Sequence, residues 1–207
     1  MTSTALVGCT GLVGSHILTT LLADNSISAV HTISRRAPKS TGAKLHPVIE
    51  ADTTTWVSWL KGIAPPPTTV YSGLGTTRAA AGGIANQWKI DHDLNVELAK
   101  AAKEAGVRNF VFISSTGTGS PLATMMPYSK MKRGVEDTVK ELGFETAVIV
   151  RPGMIIGERE VPHQGAPLLL GMITGLKSVF GEGKAPAKFW VLEQRDIIKL
   201  GRTEWKE

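Results

Sequence analysis

Apolar and polar positions along this chain of 207 residues follow two alternating patterns. Short apolar or β-branched runs, typical of buried strands, are separated by longer segments in which apolar residues recur every three or four positions, as on one helix face. The predicted strands are residues 4–8, 28–34, 45–50, 69–73, 109–114, 146–150 and 188–192. The predicted helices are residues 12–23, 54–61, 84–105, 128–142, 166–177 and 193–201. This alternation predicts an α/β fold, a doubly wound parallel sheet of the Rossmann type, with a ligand crevice at the carboxyl ends of the strands.

The length of the chain favours one domain with a small appendage rather than two full domains. Residues 1–156 are predicted to form a nucleotide-binding Rossmann domain that also carries the catalytic residues. After Gly157 the periodicity weakens and glycine and proline become more frequent. We therefore predict that residues 157–207 form a small C-terminal lobe, which completes the same domain on the substrate side.

The first predicted strand runs directly into a glycine-rich turn at residues 8–14, ahead of the first predicted helix. Glycine permits positive φ angles and lets a phosphate approach the backbone amides, and a helix N-terminus attracts an anion. The spacing is G-x-x-G-x-x-G instead of the usual G-x-G-x-x-G, so a glycine turn without a ligand stays open as the alternative. The predicted contacts to a dinucleotide are Gly8, Thr10, Gly11, Leu12, Val13 and Gly14.

The second predicted strand ends at Arg35-Arg36, where dinucleotide-binding folds carry either an acid or an arginine. An acid there would hold the hydroxyl groups of the adenosine ribose, whereas arginine accommodates a 2′-phosphate through paired N–H groups. No acid follows this strand. The sequence therefore predicts NADP(H) rather than NAD(H), with two exposed loop arginines as the alternative.

Three further strand ends supply candidate cofactor contacts. Asp52 follows the third strand, and its carboxylate either accepts a hydrogen bond from the adenine amino group or caps the next helix. Leu74 and Gly75 follow the fourth strand and either approach the middle of the cofactor or form a plain turn. Arg151, Pro152 and Gly153 follow the sixth strand, where proline would fix the chain over the nicotinamide; a plain surface charge is the alternative for Arg151.

Candidate catalytic residues follow the fifth predicted strand. Tyr128 and Lys132 are four residues apart and share a helix face. A tyrosine hydroxyl titrates near ~10 in water, and an adjacent ammonium lowers its pKa toward the range useful for acid–base catalysis. Ser115, or the adjacent Ser114, would orient a substrate carbonyl oxygen. A surface Tyr–Lys pair is the alternative for these two residues taken alone.

Composition and charge argue against several other classes of protein. The net charge is +5, but the basic residues are scattered, so we predict a solvated basic surface and no nucleic-acid binding. The five histidines lack metal-ligand spacing, so no metal is expected. The single Cys9 excludes an internal disulfide and fits a reducing compartment. No segment has the length of a membrane span, and neither a signal peptide nor a matrix-type transit peptide is expected.

Together these motifs resemble the short-chain dehydrogenases/reductases of the atypical, extended-like branch. Residues 73–78 and 150–153 are similar to the Tat-interacting-protein-type oxidoreductases, and residues 4–8 and 190–194 to their fungal relatives at the mitochondrial outer membrane. The resemblance implies a Rossmann fold, NADPH, and catalysis or regulation through Ser115, Tyr128 and Lys132. It also implies peripheral attachment at the cytosolic face of the mitochondrial outer membrane.

Two departures from the family pattern define two functional hypotheses. Asp91 stands where extended reductases usually carry an asparagine, and residues 178–181 pass almost directly to residues 185–188, where relatives have a further helix. The first hypothesis is an NADPH-dependent reductase acting on a small-molecule carbonyl, with Tyr128 as the proton donor. The second is an NADPH-binding regulatory or scaffold protein with little turnover.

Overall fold

A computed structural model describes residues 2–120, 125–153, 155 and 188–203. Within these residues, one sheet of seven strands has the order β3-β2-β1-β4-β5-β6-β7, and all of its strand pairs are parallel. The strands are Thr2–Val7 (β1), Ile27–Ser34 (β2), Leu45–Ile49 (β3), Thr69–Ser72 (β4), Asn109–Ile113 (β5), Thr146–Arg151 (β6) and Lys188–Glu193 (β7). This order confirms the predicted doubly wound parallel sheet, with its reversal between β1 and β4.

Helices connect the strands and cover both faces of the sheet. They are Leu12–Ala23 (α1), Trp56–Gly62 (α2), Arg78–Ala81 (α3), Ile84–Trp88 (α4), Leu94–Glu104 (α5), Pro127–Glu141 (α6) and Gln194–Thr203 (α7). A 3-10 turn covers Thr53–Thr55, and a π-helical turn at Lys89–Asp93 joins α4 to α5. The helix predicted at 84–105 is therefore observed at 84–104 with a π-helical turn inside it, and the helix predicted at 166–177 lies outside the described residues.

Successive residues of the central strands supply two separate cores. On β5, Phe110 and Phe112 pack with α2, α5 and α6 on one face of the sheet, where Leu98 is fully buried. Val111 and Ile113 face the other side and pack with α1 and α7. Since a strand is buried on both faces only when helices cover both, the nearly continuous apolar character of β5 follows from its central place.

The described part of the predicted C-terminal lobe consists of β7 and α7. β7 extends the main sheet by pairing with β6, with Trp190 opposite Val148. From α7, Ile197 is buried in the core that contains α1. The predicted domain boundary at residue 156 lies outside the described residues and stays a prediction.

Candidate functional site

All candidate residues after strand ends lie at one edge of the sheet, because parallel strands present their carboxyl ends together. The reversal of strand order places the turn after β1 beside the turn after β4. Gly73 donates its backbone N–H to the Val7 carbonyl at 3.0 Å, which extends the pairing of these strands by one residue. The crevice predicted from the sequence therefore has its floor at these two turns.

The glycine turn packs backbone against backbone. Gly8 has φ of 82°, and a Cβ at this position would lie 2.6 Å from the Gly73 carbonyl carbon. A Cβ at Gly14 would overlap the Gly8 carbonyl oxygen. Glycine at positions 8 and 14 is therefore required by the approach of β1, α1 and β4, apart from any role in binding a ligand.

The same turn leaves the N-terminus of α1 open to an anion. Gly11 is the N-cap residue, no side chain caps the helix, and its first turn contains no acidic residue. The first amides of a helix have no partner within the helix, and the dipole favours negative charge at this end. The residues present therefore fit the phosphates of a dinucleotide, and the contacts of Gly8, Thr10, Gly11, Leu12, Val13 and Gly14 with a cofactor stay predictions.

The adenosine side of the crevice contains the second and third strand ends. Arg35 and Arg36 are exposed immediately after β2, and Ser34 Oγ donates to the Arg36 carbonyl at 2.6 Å, which holds this turn. Asp52 Oδ1 accepts hydrogen bonds from the N–H and the hydroxyl of Thr54 at 2.9 and 2.7 Å, and these bonds lower the pKa of the exposed Asp52 carboxyl. Asp52 thus has the capping role left open by the sequence, and its adenine contact stays a prediction.

Tyr128 and Lys132 lie in the first turns of α6, which begins with Pro127 at a position suited to proline. The Tyr128 side chain is near the helix start and 38% of the residue is exposed, whereas Lys132 is only 3% exposed. The two residues therefore lie on one helix face, as the four-residue spacing requires, and Lys132 is the more deeply buried of the two.

The adjacent serines have different environments. Ser114 is buried, and its hydroxyl donates to Glu136 Oε1 at 2.5 Å. Ser115 is half-buried, and its hydroxyl makes a long contact of 3.3 Å with the Thr116 carbonyl. Because the Ser114 hydroxyl is used inside the protein, Ser115 is the better candidate for contacting a substrate.

The Lys132 ammonium has hydrogen-bond acceptors around it, but all of them are at long distances. It lies 3.3 Å from the Ile113 carbonyl oxygen, 3.4 Å from that of Leu74, and 4.8 Å from the centre of the Phe112 ring. Its ionic partner is Asp91, whose Oδ1 is 3.7 Å from Lys132 Nζ. Burial lowers the pKa of Lys132, and the Asp91 charge opposes that effect.

Asp91 lies in the π-helical turn and is fully buried. Its Oδ2 accepts the Thr76 N–H at 2.9 Å, while its Oδ1 has no hydrogen-bond partner. Burial raises the pKa of the Asp91 carboxyl, and the positive charge of Lys132 opposes this. A hypothetical Cβ at Gly75 would be 3.0 Å from Oδ1, so this carboxylate joins the turn after β4 to the candidate catalytic lysine.

Two buried polar residues beside the candidate site residues were missed by the sequence analysis. Asn95, one turn beyond Asp91, accepts the Ser72 hydroxyl at 2.5 Å and donates to the Ile90 carbonyl at 3.0 Å. Glu136, one turn beyond Lys132, is buried beside Ser114. Their four-residue spacing from Asp91 and Lys132 was the available signal, because it places them on the same buried helix faces.

The Arg151 side chain is held by two carboxylates. Its Nη2 lies 2.6 Å from Glu136 Oε2, and its Nη1 lies 2.8 Å from Glu193 Oε1. These hydrogen bonds raise the pKa of the guanidinium above its ordinary value, with the Glu136 bond as the largest cause. After it, Gly153 donates its N–H to Gln194 Oε1 at 2.5 Å. Contacts of Arg151, Pro152 and Gly153 with a cofactor stay predictions.

Within residues 2–120, 125–153, 155 and 188–203, no group of three or more His, Cys, Asp and Glu side chains is arranged to hold a metal ion. No helix in the same ranges has both the length and the apolar character needed to cross a membrane.

The parallel sheet and the glycine turn are those of a Rossmann fold of the extended short-chain dehydrogenase type. The chain belongs to the NAD-dependent epimerase/dehydratase family, whose model matches residues 5–198.

Comparison with curated proteins finds close fungal relatives. The chain is 62% identical to "Protein FMP52, mitochondrial" of Chaetomium globosum, with all of both chains covered. It is 56% identical to "Protein fmp-52, mitochondrial" of Neurospora crassa, covering 100% of this chain and 98% of the relative. The first alignment spans 233 positions, more than the 207 residues of this chain, so this relative has residues without a counterpart here.

Solved structures share the fold at low sequence identity. One is MoeE5 in complex with UDP-glucose and NAD, with a TM-score of 0.67 at 18% identity, covering 92% of this chain and 75% of MoeE5. Another is the Bordetella bronchiseptica enzyme WbmH in complex with NAD+, with a TM-score of 0.66 at 19% identity, covering 99% and 71% of the two chains. These similarities show the fold alone, which agrees with the Rossmann-type fold predicted from the sequence.

Proposed function

We propose that this chain is an NADPH-dependent reductase that converts a small-molecule carbonyl to an alcohol. The observation that carries this proposal is the placement of Tyr128 and Lys132 on one face of α6, with the tyrosine exposed and the lysine buried one turn further. A buried ammonium stabilises a neighbouring phenolate, because little water screens its charge. This pair favours the reductase, because a protein that only bound the nucleotide would need no proton donor beside a buried ammonium.

The residues of the site would have three roles in the reaction. Tyr128 donates its phenolic proton to the substrate oxygen, and the Ser115 hydroxyl donates a hydrogen bond to the same oxygen as negative charge develops there. Lys132 stabilises the phenolate that remains after proton transfer. When bound, NADPH supplies the hydride that the carbonyl carbon accepts.

The first test measures NADPH oxidation with a panel of aldehydes and ketones. Tyr128→Phe removes the proton donor and keeps the ring, so kcat is expected to fall about 100- to 10,000-fold. Lys132→Met is compared with the matched variant Lys130→Met, since Lys130 is exposed on the same helix. Of these two lysine variants, only Lys132→Met should lose turnover. A Tyr128→Phe protein with the parental kcat on every accepted substrate would disprove the proposed role.

The preference for NADPH is proposed from Arg35-Arg36. Both guanidinium groups are exposed after β2, and neither has an ion-pair partner among the described residues, so both are available to a 2′-phosphate. In titration calorimetry, Arg35→Ala/Arg36→Ala should weaken NADPH binding by about tenfold or more, the loss expected from one or two charge-assisted hydrogen bonds. NADH binding should not change, and Lys39→Ala serves as the exposed control. Equal affinities of the parent for NADH and NADPH would overturn the preference.

A second candidate function is a regulatory or scaffold protein that binds NADPH with little turnover. The specific observation in its favour is the Asp91 carboxylate beside Lys132, since extended reductases usually carry an asparagine there. A carboxylate competes with the phenolate for the lysine charge. Tight binding of NADPH by the parent, without oxidation in the presence of any carbonyl in the panel, would favour this candidate over the reductase.

We propose a mitochondrial location, on the cytosolic face of the outer membrane, with peripheral attachment. The support is the naming of the relatives as mitochondrial and the resemblance to Tat-interacting-protein-type oxidoreductases. Protease added to intact mitochondria should digest the protein, and alkaline carbonate should release it from the membranes. Protection from protease until the outer membrane is opened would contradict this location.

A further inference from the structure

Glu136 is a buried carboxylate that the proposed reaction does not use directly. It lies on α6 one turn beyond Lys132, and only 4% of it is exposed. A buried charge is costly unless it is paired and hydrogen-bonded. The groups that contact the Glu136 carboxylate therefore indicate the role of this residue.

The Glu136 carboxylate contacts both sides of the segment that carries Ser115. Its Oε1 accepts the Ser114 hydroxyl at 2.5 Å and lies 3.0 Å from the Thr118 hydroxyl. The Thr118 hydroxyl is also 3.0 Å from the Ser115 carbonyl oxygen. One side chain on α6 thus anchors the residue before Ser115 and the turn after it.

Arg151 fixes the orientation of Glu136. Its Nε donates to Oε1 at 3.0 Å and its Nη2 to Oε2 at 2.6 Å, so both carboxylate oxygens are held in one plane. The bidentate geometry adds orientation as well as strength. Through Nη1 the guanidinium also contacts Glu193 at the end of β7, at 2.8 Å.

The backbone of the same segment is tied to β6. Ser114 donates its N–H to the Val150 carbonyl at 2.7 Å, and Thr116 donates its N–H to the Pro152 carbonyl at 2.8 Å. The backbone hydrogen bonds hold the segment against β6, and Glu136 holds the Ser114 and Thr118 side chains against α6. The Ser115 hydroxyl takes no part in these attachments, and it makes a long contact of 3.3 Å with the Thr116 carbonyl.

We propose that Glu136 is a positioning residue for Ser115, acting through Ser114 and Thr118, and that Arg151 holds Glu136 in place. The inference rests on the proposed function, because it takes Ser115 as the hydroxyl that contacts the substrate oxygen. A reacting group displaced by about 1 Å costs on the order of 100-fold in rate, so two attachments around one serine are consequential.

The test uses the full chain with three variants. Ser114→Ala removes only the hydroxyl that joins the segment to Glu136, and Glu136→Gln keeps the shape while removing the charge that pairs with Arg151. Glu141→Gln is the matched control, because Glu141 is an exposed glutamate on the same helix. Both test variants should lower kcat by about 10- to 100-fold. The Kd of Ser114→Ala for NADPH should match that of the parent, because Ser114 is not a predicted cofactor contact. For Glu136→Gln, kcat is measured at saturating NADPH, so that any effect on cofactor binding through Arg151 stays separate from the effect on turnover.

A second readout does not depend on turnover. Amide hydrogen exchange across residues 114–119 should become faster in Ser114→Ala and Glu136→Gln, while β1 and α1 keep the parental exchange. Parental kcat and parental exchange in both variants would overturn the proposal. Faster exchange throughout the chain in Ser114→Ala would also overturn it, since that result would show a merely structural role. If the parent reduces no carbonyl, the reductase proposal fails, while local exchange still shows whether Glu136 anchors the segment.

Discussion

Replacing Asp91 with asparagine isolates the charge of the buried Asp91–Lys132 pair. Asparagine has the same shape and keeps an oxygen to accept the Thr76 N–H, now 2.9 Å from Asp91 Oδ2. The Lys132 ammonium would remain buried against the Phe112 ring without its ion-pair partner, and Glu136 would be the remaining negative charge that acts on it. Removing one partner of a buried ion pair costs about 3–5 kcal/mol, because the other charge stays out of water.

A second route to the magnitude comes from the lysine itself. Instead of staying charged, Lys132 can lose its proton on folding, which costs about 1.4 kcal/mol for each pH unit below its ordinary pKa of 10.5. At pH 7 this amounts to about 5 kcal/mol, which is the upper limit of the cost. We therefore expect Asp91→Asn to lower the free energy of unfolding by about 3–5 kcal/mol at pH 7.

The pH dependence has a definite sign. Burial already lowers the pKa of Lys132, and loss of Asp91 removes the charge that opposes this, so the pKa falls further in the variant. Between the pKa of Lys132 in the folded protein and its pKa in the unfolded chain, only the unfolded chain keeps the proton on Lys132. The free energy of unfolding therefore rises with pH in this range. The deficit of Asp91→Asn relative to the parent should therefore shrink as the pH rises from the lysine pKa of the variant to that of the parent.

Urea unfolding at pH 7 and pH 9 measures both effects. Glu97→Gln is the control, because it neutralises an exposed acid on α5 and should leave stability nearly unchanged. The double variant Asp91→Asn/Lys132→Met removes both charges and should recover most of the loss. An Asp91→Asn protein as stable as the parent at both pH values would refute the reasoning, as would a double variant no more stable than Asp91→Asn.

Two further predictions concern packing. Gly14→Ala places a methyl group on the Gly8 carbonyl oxygen, so we expect a loss of about 1–3 kcal/mol in thermal unfolding together with weaker NADPH binding in calorimetry; parental values for both would contradict the backbone packing. Leu98→Ala truncates a fully buried side chain between the sheet and α5, and urea unfolding should show a loss of about 2–5 kcal/mol; a change below ~1 kcal/mol would show that this site collapses freely.

The hydrophobic pattern was sufficient to predict the strands because central parallel strands are buried on both faces. β1 was predicted at 4–8 and observed at Thr2–Val7, and β5 was predicted at 109–114 and observed at Asn109–Ile113. The same pattern misled about burial at β3, the edge of the sheet, where Ile49 is 59% exposed. Apolar residues on an edge strand have the same sequence signature as core residues, so periodicity does not separate the two.

Periodicity predicted the helix at 84–105 but not the π-helical turn inside it. One extra residue in the π-helical turn changes which side chains face the sheet, and the turn at Lys89–Asp93 buries Asp91. The Asp91–Lys132 pair brings together residues that sequence reasoning had considered in separate contexts. Likewise, Arg151 was interpreted as a cofactor residue or a surface charge because its partner Glu136 looks like an ordinary polar residue of an amphipathic helix.

Helix α6 shows why three residues with one spacing have three different tasks. Tyr128, Lys132 and Glu136 each follow the previous one by four residues, so they form a single line that runs from the rim of the crevice into the protein. Exposure falls from 38% at Tyr128 to 3% and 4% at the next two residues. A group at the rim meets a substrate, whereas a buried charge acts only on its neighbours and needs a fixed partner. Lys132 pairs with Asp91 and Glu136 pairs with Arg151, so the chemistry proposed for Tyr128 and Ser115 depends on two ion pairs between largely buried side chains.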